Sequence, residues 1–305
     1  MRASAVLLGL ALTAPAAVGP DPGPTLAVRT AQGWVTWWRG EAAPARWAAP
    51  LPALAGRIQW RRVTPGLDWG EISLAGDGEA FRVRLIVVRL NPRALELRLV
   101  KPRNGPVFAG RWDIAEAPAE AVLALNAGQF TGQPWGWLVV DGVEQQRPGI
   151  GPLAPAVVLD SAGTLRVVPP DSIEAVRRSA RLAFQSYPTL LAGDGEIPRA
   201  LLEDGLGVDL THRDARLALG ELRDGRILIG MTRFEGLGGV LANLPLGLTT
   251  PEMAAVMGAL GARRAVLLDG GISSQLLIRE GGRTRSWPGW RRVPLGLVVV
   301  PRRTS

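Results

Sequence analysis

The chain has 305 residues, 47% of them apolar, enough to bury a substantial core as one large domain or two small ones. It has no cysteine, which excludes thiol catalysis, disulfides and thiolate metal sites. Its single histidine, His212, excludes a multi-histidine metal centre, and any Ser-His-Asp triad would have to run through it. The formal charge of +8 is almost wholly arginine, since Lys101 is the one lysine. Arginine offers a planar fork for phosphate and carboxylate. No concentrated basic run or nucleic-acid motif accompanies it, so no nucleic-acid partner is expected.

Residues 1–19 read as an export signal: Arg2 is the positive start, Ala5 to Leu12 a short apolar core, and Thr13 to Ala17 a small-residue cleavage region. The apolar part is too short for a permanent span, so no stable membrane span is expected after cleavage, and a periplasmic or secreted protein is. Residues 20–57 are rich in Pro and Ala and carry Trp34, Trp37, Trp38 and Trp47. Their prolines argue against a long regular element and for a lead-in whose tryptophans pack on a domain surface.

The domain proper is expected over residues 58–301. Phe81 to Val88 alternates and then turns continuously apolar, a strand; after a turn at Asn91-Pro92, Leu95 to Val100 alternates again, and the two read as an antiparallel pair. Ile114 to Ala121 could form a short helix. Val122 to Leu125 is a buried strand ending in Asn126-Ala127-Gly128-Gln129-Phe130. Asp141-Gly142 then turns a hairpin, and Val157 to Val168 forms another. Residues 197–215 are irregular and polar. Arg216-Leu-Ala-Leu-Gly220 enters a third hairpin, turned at Asp224-Gly225. Thr249 to Leu260 is the strongest helix: Thr249 and Glu252 fit a capping box, and Gly261 stops it.

That helix leads into Ala265-Val-Leu-Leu-Asp269-Gly270-Gly271-Ile272-Ser273-Ser274-Gln275. A short apolar run ends in a carboxylate, two glycines able to adopt positive φ or approach a ligand, and two hydroxyls. From these residues alone two readings stand: a tight turn that Asp269 caps, or a carboxylate aimed at a ligand with backbone amides beside it. Asn126 is likewise a turn former or a site residue, Arg216 a surface charge or an anion ligand, and Glu252 a cap or a second carboxylate.

Taken together, the motifs resemble the phosphodiester glycosidase family. The family's Asn-Gly-Gly-Phe-Phe is similar to Asn126 to Phe130, its Arg-Thr-Ala-Ile-Gly to Arg216 to Gly220, its Gly-Leu-Thr-x-x-Glu-Leu-Ala to Gly247 to Ala254, and its Leu-Asp-Gly-Gly-Gly-Ser-Ser to Leu268 to Ser274. Ala127, Gln129 and Ile272 depart from these patterns, and the family's Asp-Gly-Arg stands as Met231-Thr-Arg233. The resemblance implies an α+β fold, mixed β-sheets flanked by a few helices, in a single catalytic domain. It implies hydrolysis of a sugar C1–O–P linkage in a phosphorylated envelope or extracellular glycan, without a cofactor. Asp269, Glu252 and Asn126 are the expected catalytic residues. Arg216, Gly128, Gly270, Gly271, Ser273 and Ser274 are expected to hold the phosphate. Two other readings stay open: a non-catalytic exported polysaccharide-binding protein, and an oxygen-liganded metal ion shared by Asp269, Glu252 and Asn126.

Overall fold

The computed structural model describes residues 23–77, 81–100, 111–149, 151–235, 244 and 246–302; the expected export signal lies outside them. In chain order the strands are β1 (Thr25–Thr30), β2 (Gly33–Arg39), β3 (Arg61–Thr64), β4 (Leu67–Gly76), β5 (Phe81–Leu90), β6 (Leu95–Val100), β7 (Leu123–Asn126), β8 (Leu138–Val140), β9 (Val143–Gln146), β10 (Ala156–Asp160) and β11 (Leu165–Val168). They continue with β12 (Ala180–Gln185), β13 (Thr189–Leu191), β14 (Leu217–Leu222), β15 (Ile227–Phe234), β16 (Ala262–Leu268), β17 (Leu276–Glu280), β18 (Arg283–Trp287) and β19 (Gly296–Pro301). The α-helices are α1 (Pro52–Ala55), α2 (Ile173–Val176) and α3 (Thr250–Ala259).

These strands form a nine-stranded sheet, β13-β16-β14-β15-β5-β4-β1-β2 with β3 on β4, and two five-stranded sheets, β11-β10-β12-β8-β9 and β18-β17-β7-β19-β6. The fold is α+β with few helices, as expected, and every pairing among the described strands is antiparallel. The alternation of side chains sorts the large sheet's two faces. Leu67, Trp69, Ile86, Val88, Leu217 and Val266 face a core shared with both smaller sheets. Val83, Leu85, Val87, Ala218 and Ala265 face a second core closed by α3 and the N-terminal segment.

Three sequence expectations change. β5 and β6 do not pair: both edges of β5 are taken by the long partners β4 and β15, and β6 crosses to another sheet beside β19. The N-terminal residues are more than a lead-in. Their prolines exclude long elements but leave room for β1 and β2, which extend the large sheet through β4. The next stretch is tied to the turn after β13 and to α3: the Trp47 N–H donates to Gly195 O at 2.8 Å, and the Leu51 N–H to Ala259 O at 2.8 Å. The expected helix over 114–121 reduces to one 3₁₀ turn, Ile114–Glu116, capped by Asp113; Pro118 follows it at once.

α3 is buried all round, so it needs a neighbour on every side. Its capping box is complete: the Glu252 N–H reaches Thr249 Oγ1 at 3.3 Å, and the Thr249 N–H reaches Glu252 Oε2 at 2.9 Å. At Gly258 an added Cβ would lie 2.2 Å from the Trp47 indole, so the absence of a side chain lets the N-terminal segment dock. An exposed helical Gly→Ala change stabilises by up to about 1 kcal/mol. Gly258→Ala is predicted to do the reverse, destabilising by about 1–3 kcal/mol in urea denaturation through overpacking against Trp47.

Candidate active site

The site forms where the large sheet meets the sheet containing β7 and β17. β16 is held between β13 and β14, and at its end Asp269 leaves the ladder. Two bonds fix its backbone: its N–H donates to Gly128 O at 2.9 Å, and its carbonyl accepts from Asn126 Nδ2 at 2.8 Å. Asn126 Oδ1 accepts the Gln275 N–H at 3.1 Å. Asn126 is wholly buried with both ends of its amide engaged. It therefore positions the Asp269 loop, and the expectation that it orients a sugar hydroxyl or water does not fit this geometry.

The two glycines after Asp269 are required by a close neighbour. A Cβ on Gly270 would lie 2.6 Å from the Ala215 carbonyl oxygen, and one on Gly271 (φ +57°) 2.6 Å from an Asp214 carboxylate oxygen. The Gly271 N–H donates to Ala215 O at 2.7 Å. The N–H groups of Ser273 and Ser274 close the 3₁₀ turn onto Gly270 and Gly271. Of the two glycine amides expected to meet a phosphate, that of Gly271 is thus engaged inside the protein. The Ser273 hydroxyl bonds to the Asp269 carboxylate. The Ser274 hydroxyl is buried without a partner among the described residues.

This packing brings in a carboxylate that the sequence reading passed over, Asp214. Its Oδ1 accepts the Ala215 N–H at 2.8 Å, and His212 Nε2 lies 3.7 Å from Oδ2. Burial pushes the Asp269 carboxyl up to about 6, and the Asp214 charge adds to the rise, while the Ser273 hydroxyl and the Arg291 charge oppose it. Burial also raises Asp214, against the Arg216 charge, the Ala215 N–H and His212. In the sequence it is only an acid two residues before Arg216, in a segment without periodicity.

Arg216 is buried, which draws its pKa down. Its Nε donates to Leu248 O at 2.8 Å and its Nη2 to His212 O at 2.5 Å. Among the described residues no hydrogen bond engages Nη1, and Asp214 is the carboxylate whose charge acts on Arg216 most strongly. Arg233 is also buried, and its Nη2 reaches the carbonyls of Ser274, Trp287 and Pro288 at 2.6, 3.1 and 3.1 Å. Desolvation lowers it to about 10, so it stays charged at neutral pH.

Glu252 does not join Asp269. Fully buried, it accepts from Arg213 Nη1 and Nη2 at 2.7 and 3.0 Å while capping α3. Arg213 also bonds Asp77 at 2.6 Å and stacks on Phe81 at 4.1 Å. The expected second carboxylate is thus a structural one. The shared metal site weighed for Asp269, Glu252 and Asn126 is not assembled, since the oxygens of Glu252 and Asn126 are taken. A cleft of about 850 Å³ lined by Glu96, Arg98, Asp160, Arg181 and Arg302 contains none of the motif residues.

Because a buried group left unpaired costs about 1–3 kcal/mol, Asn126→Ala is predicted to destabilise the fold by at least that amount, orphaning the Asp269 carbonyl and the Gln275 N–H. Chemical denaturation of the purified variant measures it. An unchanged midpoint would return Asn126 to the role of a ligand contact.

The model of the phosphodiester glycosidase family matches residues 119–300, more than half of the chain. Among solved structures, the catalytic domain of zebrafish N-acetylglucosamine-1-phosphodiester alpha-N-acetylglucosaminidase, auto-inhibited by a pro-peptide, is similar with a TM-score of 0.59 at 18% identity, over 84% of this chain and 87% of that one. A hypothetical protein from Synechocystis is similar with a TM-score of 0.55 at 16% identity, over 91% of this chain and 68% of that one. At these identities the likeness is one of fold. No curated protein sequence matches the chain. No helix among the described residues is long and apolar enough to cross a membrane. By its match over residues 119–300, the chain belongs to the phosphodiester glycosidase family, and is a glycosidase-class hydrolase acting on phosphodiesters.

Proposed function

We propose that the Asp269 loop hydrolyses the C1–O bond of a sugar-1-phosphodiester, with Asp269 acting as general base on the attacking water. The observation that carries this reading is a buried carboxyl at about 6, at a strand end inside the family match, beside Asp214 and Arg216. A base of that strength is ionised at neutral pH and still basic enough to accept a proton in the transition state.

In this scheme water attacks C1 and passes its proton to Asp269. The C1–O pair leaves on the phosphate monoester, a good leaving group that requires little protonation. The site's main work is electrostatic: holding the phosphate charge and favouring an oxocarbenium-like sugar. Arg216 supplies a guanidinium with Nη1 uncommitted among the described residues, suited to a phosphate oxygen. Asp214 is a positioning residue that keeps Asp269 basic. Ser273 orients the Asp269 carboxylate, and Asn126 and Gly128 hold the backbone beneath it. The export pattern of residues 1–19 supports placing the substrate outside the cytoplasm, as an envelope or extracellular glycan.

Wild type and Asp269→Ala are to be assayed together on a panel of sugar-1-phosphodiesters, led by the N-acetylglucosamine diester. Free sugar from wild type and a loss of at least about 100-fold in the variant are expected. Retained activity would remove Asp269 from its role. Binding without product, indifferent to the substitution, would favour the polysaccharide-binding reading. Only the ionised carboxylate accepts a proton, so kcat/KM should rise with pH through an apparent pKa of about 6. In Asp214→Asn the residual activity should show this limb displaced to lower pH, because the neighbouring negative charge is gone.

A further inference from the structure

All eleven tryptophans of the chain lie in described residues, and Trp290 is the one left largely exposed, at 58%. A single exposed apolar side chain means little by itself. Three observations set this one apart.

The first is place. The Trp290 and Arg291 N–H groups both donate to Ile272 O, at 2.7 and 2.9 Å, so the pair stands on the 3₁₀ turn that follows Asp269. The Arg291 charge reaches the Asp269 carboxyl. The second is rigidity. A Cβ on Gly289 would lie 3.0–3.2 Å from the carbonyl oxygens of Ile272, Ser273 and Ser274, so the backbone is pressed onto that turn. Arg233 ties Pro288 O and Trp287 O to Ser274 O through one Nη2. Trp287 packs edge-on against Trp69 with centroids 6.1 Å apart, and on the far side Val293 and Trp112 exchange backbone bonds. The third is the absence of a cover. Guanidinium groups lie over Trp34, Trp60 and Trp69, but no ring or cation of the described residues stacks on Trp290.

An indole on a firmly held backbone, uncovered and next to a charged site, is a platform for a ligand. Its ligand must have an apolar face and an anionic neighbour. The C–H face of a pyranose supplies the first, and a phosphodiester the second. A tryptophan gives such a surface with little conformational entropy lost on binding.

We propose that Trp290 and Arg291 form the sugar-phosphate lip of the site: the indole stacks on a pyranose ring of the substrate while Arg291 pairs with the phosphate. The assignment rests on the reaction proposed for Asp269 and names what that site recognises.

The test is steady-state hydrolysis of N-acetylglucosamine-1-(methyl phosphate) by wild type, Trp290→Ala, Trp290→Phe and, as a distant exposed control, Val143→Ala. Stacking of this kind contributes roughly 3- to 10-fold in affinity. Trp290→Ala should raise KM by that factor with kcat within about two-fold, the pattern of a lost binding contact. Trp290→Phe should recover most of it, and Val143→Ala should match wild type. Equal KM values for wild type and Trp290→Ala would overturn the lip and leave the reaction intact. If wild type releases no sugar, the reaction fails first, and calorimetry with N-acetylglucosamine 1-phosphate then decides the lip. Binding weakened by Trp290→Ala supports it; binding that is equal, or absent, overturns it.

Discussion

The side-chain amide of Asn126 is the joint on which the site depends. It sits at the end of β7 in one sheet, donates to the carbonyl of Asp269 at the end of β16 in another, and accepts from Gln275 where the chain returns toward β17. Neither backbone group has a ladder partner at that point, since both lie just beyond a strand. A buried carbonyl and a buried N–H left open would each oppose the junction of the two sheets. One amide satisfies both, with an acceptor and a donor on opposite atoms. Aspartate, lacking the donor, could not. The Gly128 carbonyl completes the clasp from the same strand end.

The clasp sets where Asp269 leaves the sheet; the glycines set what it meets. With Gly270 and Gly271 free of side chains, the chain at Ala215 comes close enough to take a backbone bond, and this draws the Asp214 carboxylate against the loop. Burial raises both carboxyls above the ordinary range, and the Asp214 charge adds to the rise at Asp269. A side chain at either glycine would push the strands apart and relax that coupling. The basicity of Asp269 follows first from its burial, and the packing at Asp214 adds to it.

Much of this was legible in the sequence. Continuous apolar runs gave β5, β7 and β16; Thr249 and Glu252 gave the start of α3; the hairpin at Asp141-Gly142 followed from a turn that demands positive φ at both residues, here 51° and 79°. Asp269 and Arg216 were legible because each stands at a strand end within a motif. Asp214 was not, because its partner Gly271 lies far along the chain and its own segment has no periodicity. Glu252 was half legible: the cap is local, but its pairing with Arg213 joins two distant segments and removes it from chemistry. The sheet positions of β6 and of β1 and β2 were hidden for the same reason. Alternation says that a strand has two faces and nothing about which edge it will join.

The remaining charges explain why an anion should enter so buried a place. Arg216 and Arg233 are desolvated and held mainly by carbonyl oxygens, which orient a guanidinium without cancelling its charge. Arg291 adds a third positive charge from the rim. Against these stand Asp214 and Asp269, whose carboxyls burial raises, so that the pocket resists their negative charges. A phosphodiester brings one negative charge and permanent acceptors, so it can satisfy arginine donors that carboxylates at fixed positions cannot reach. Its negative charge beside Asp269 would press that carboxyl toward the protonated form, which cannot act as a base, so the arginines are needed to hold it ionised. The same field that recruits the phosphate is then compatible with proton removal, because the arginines offset the charge that the substrate brings.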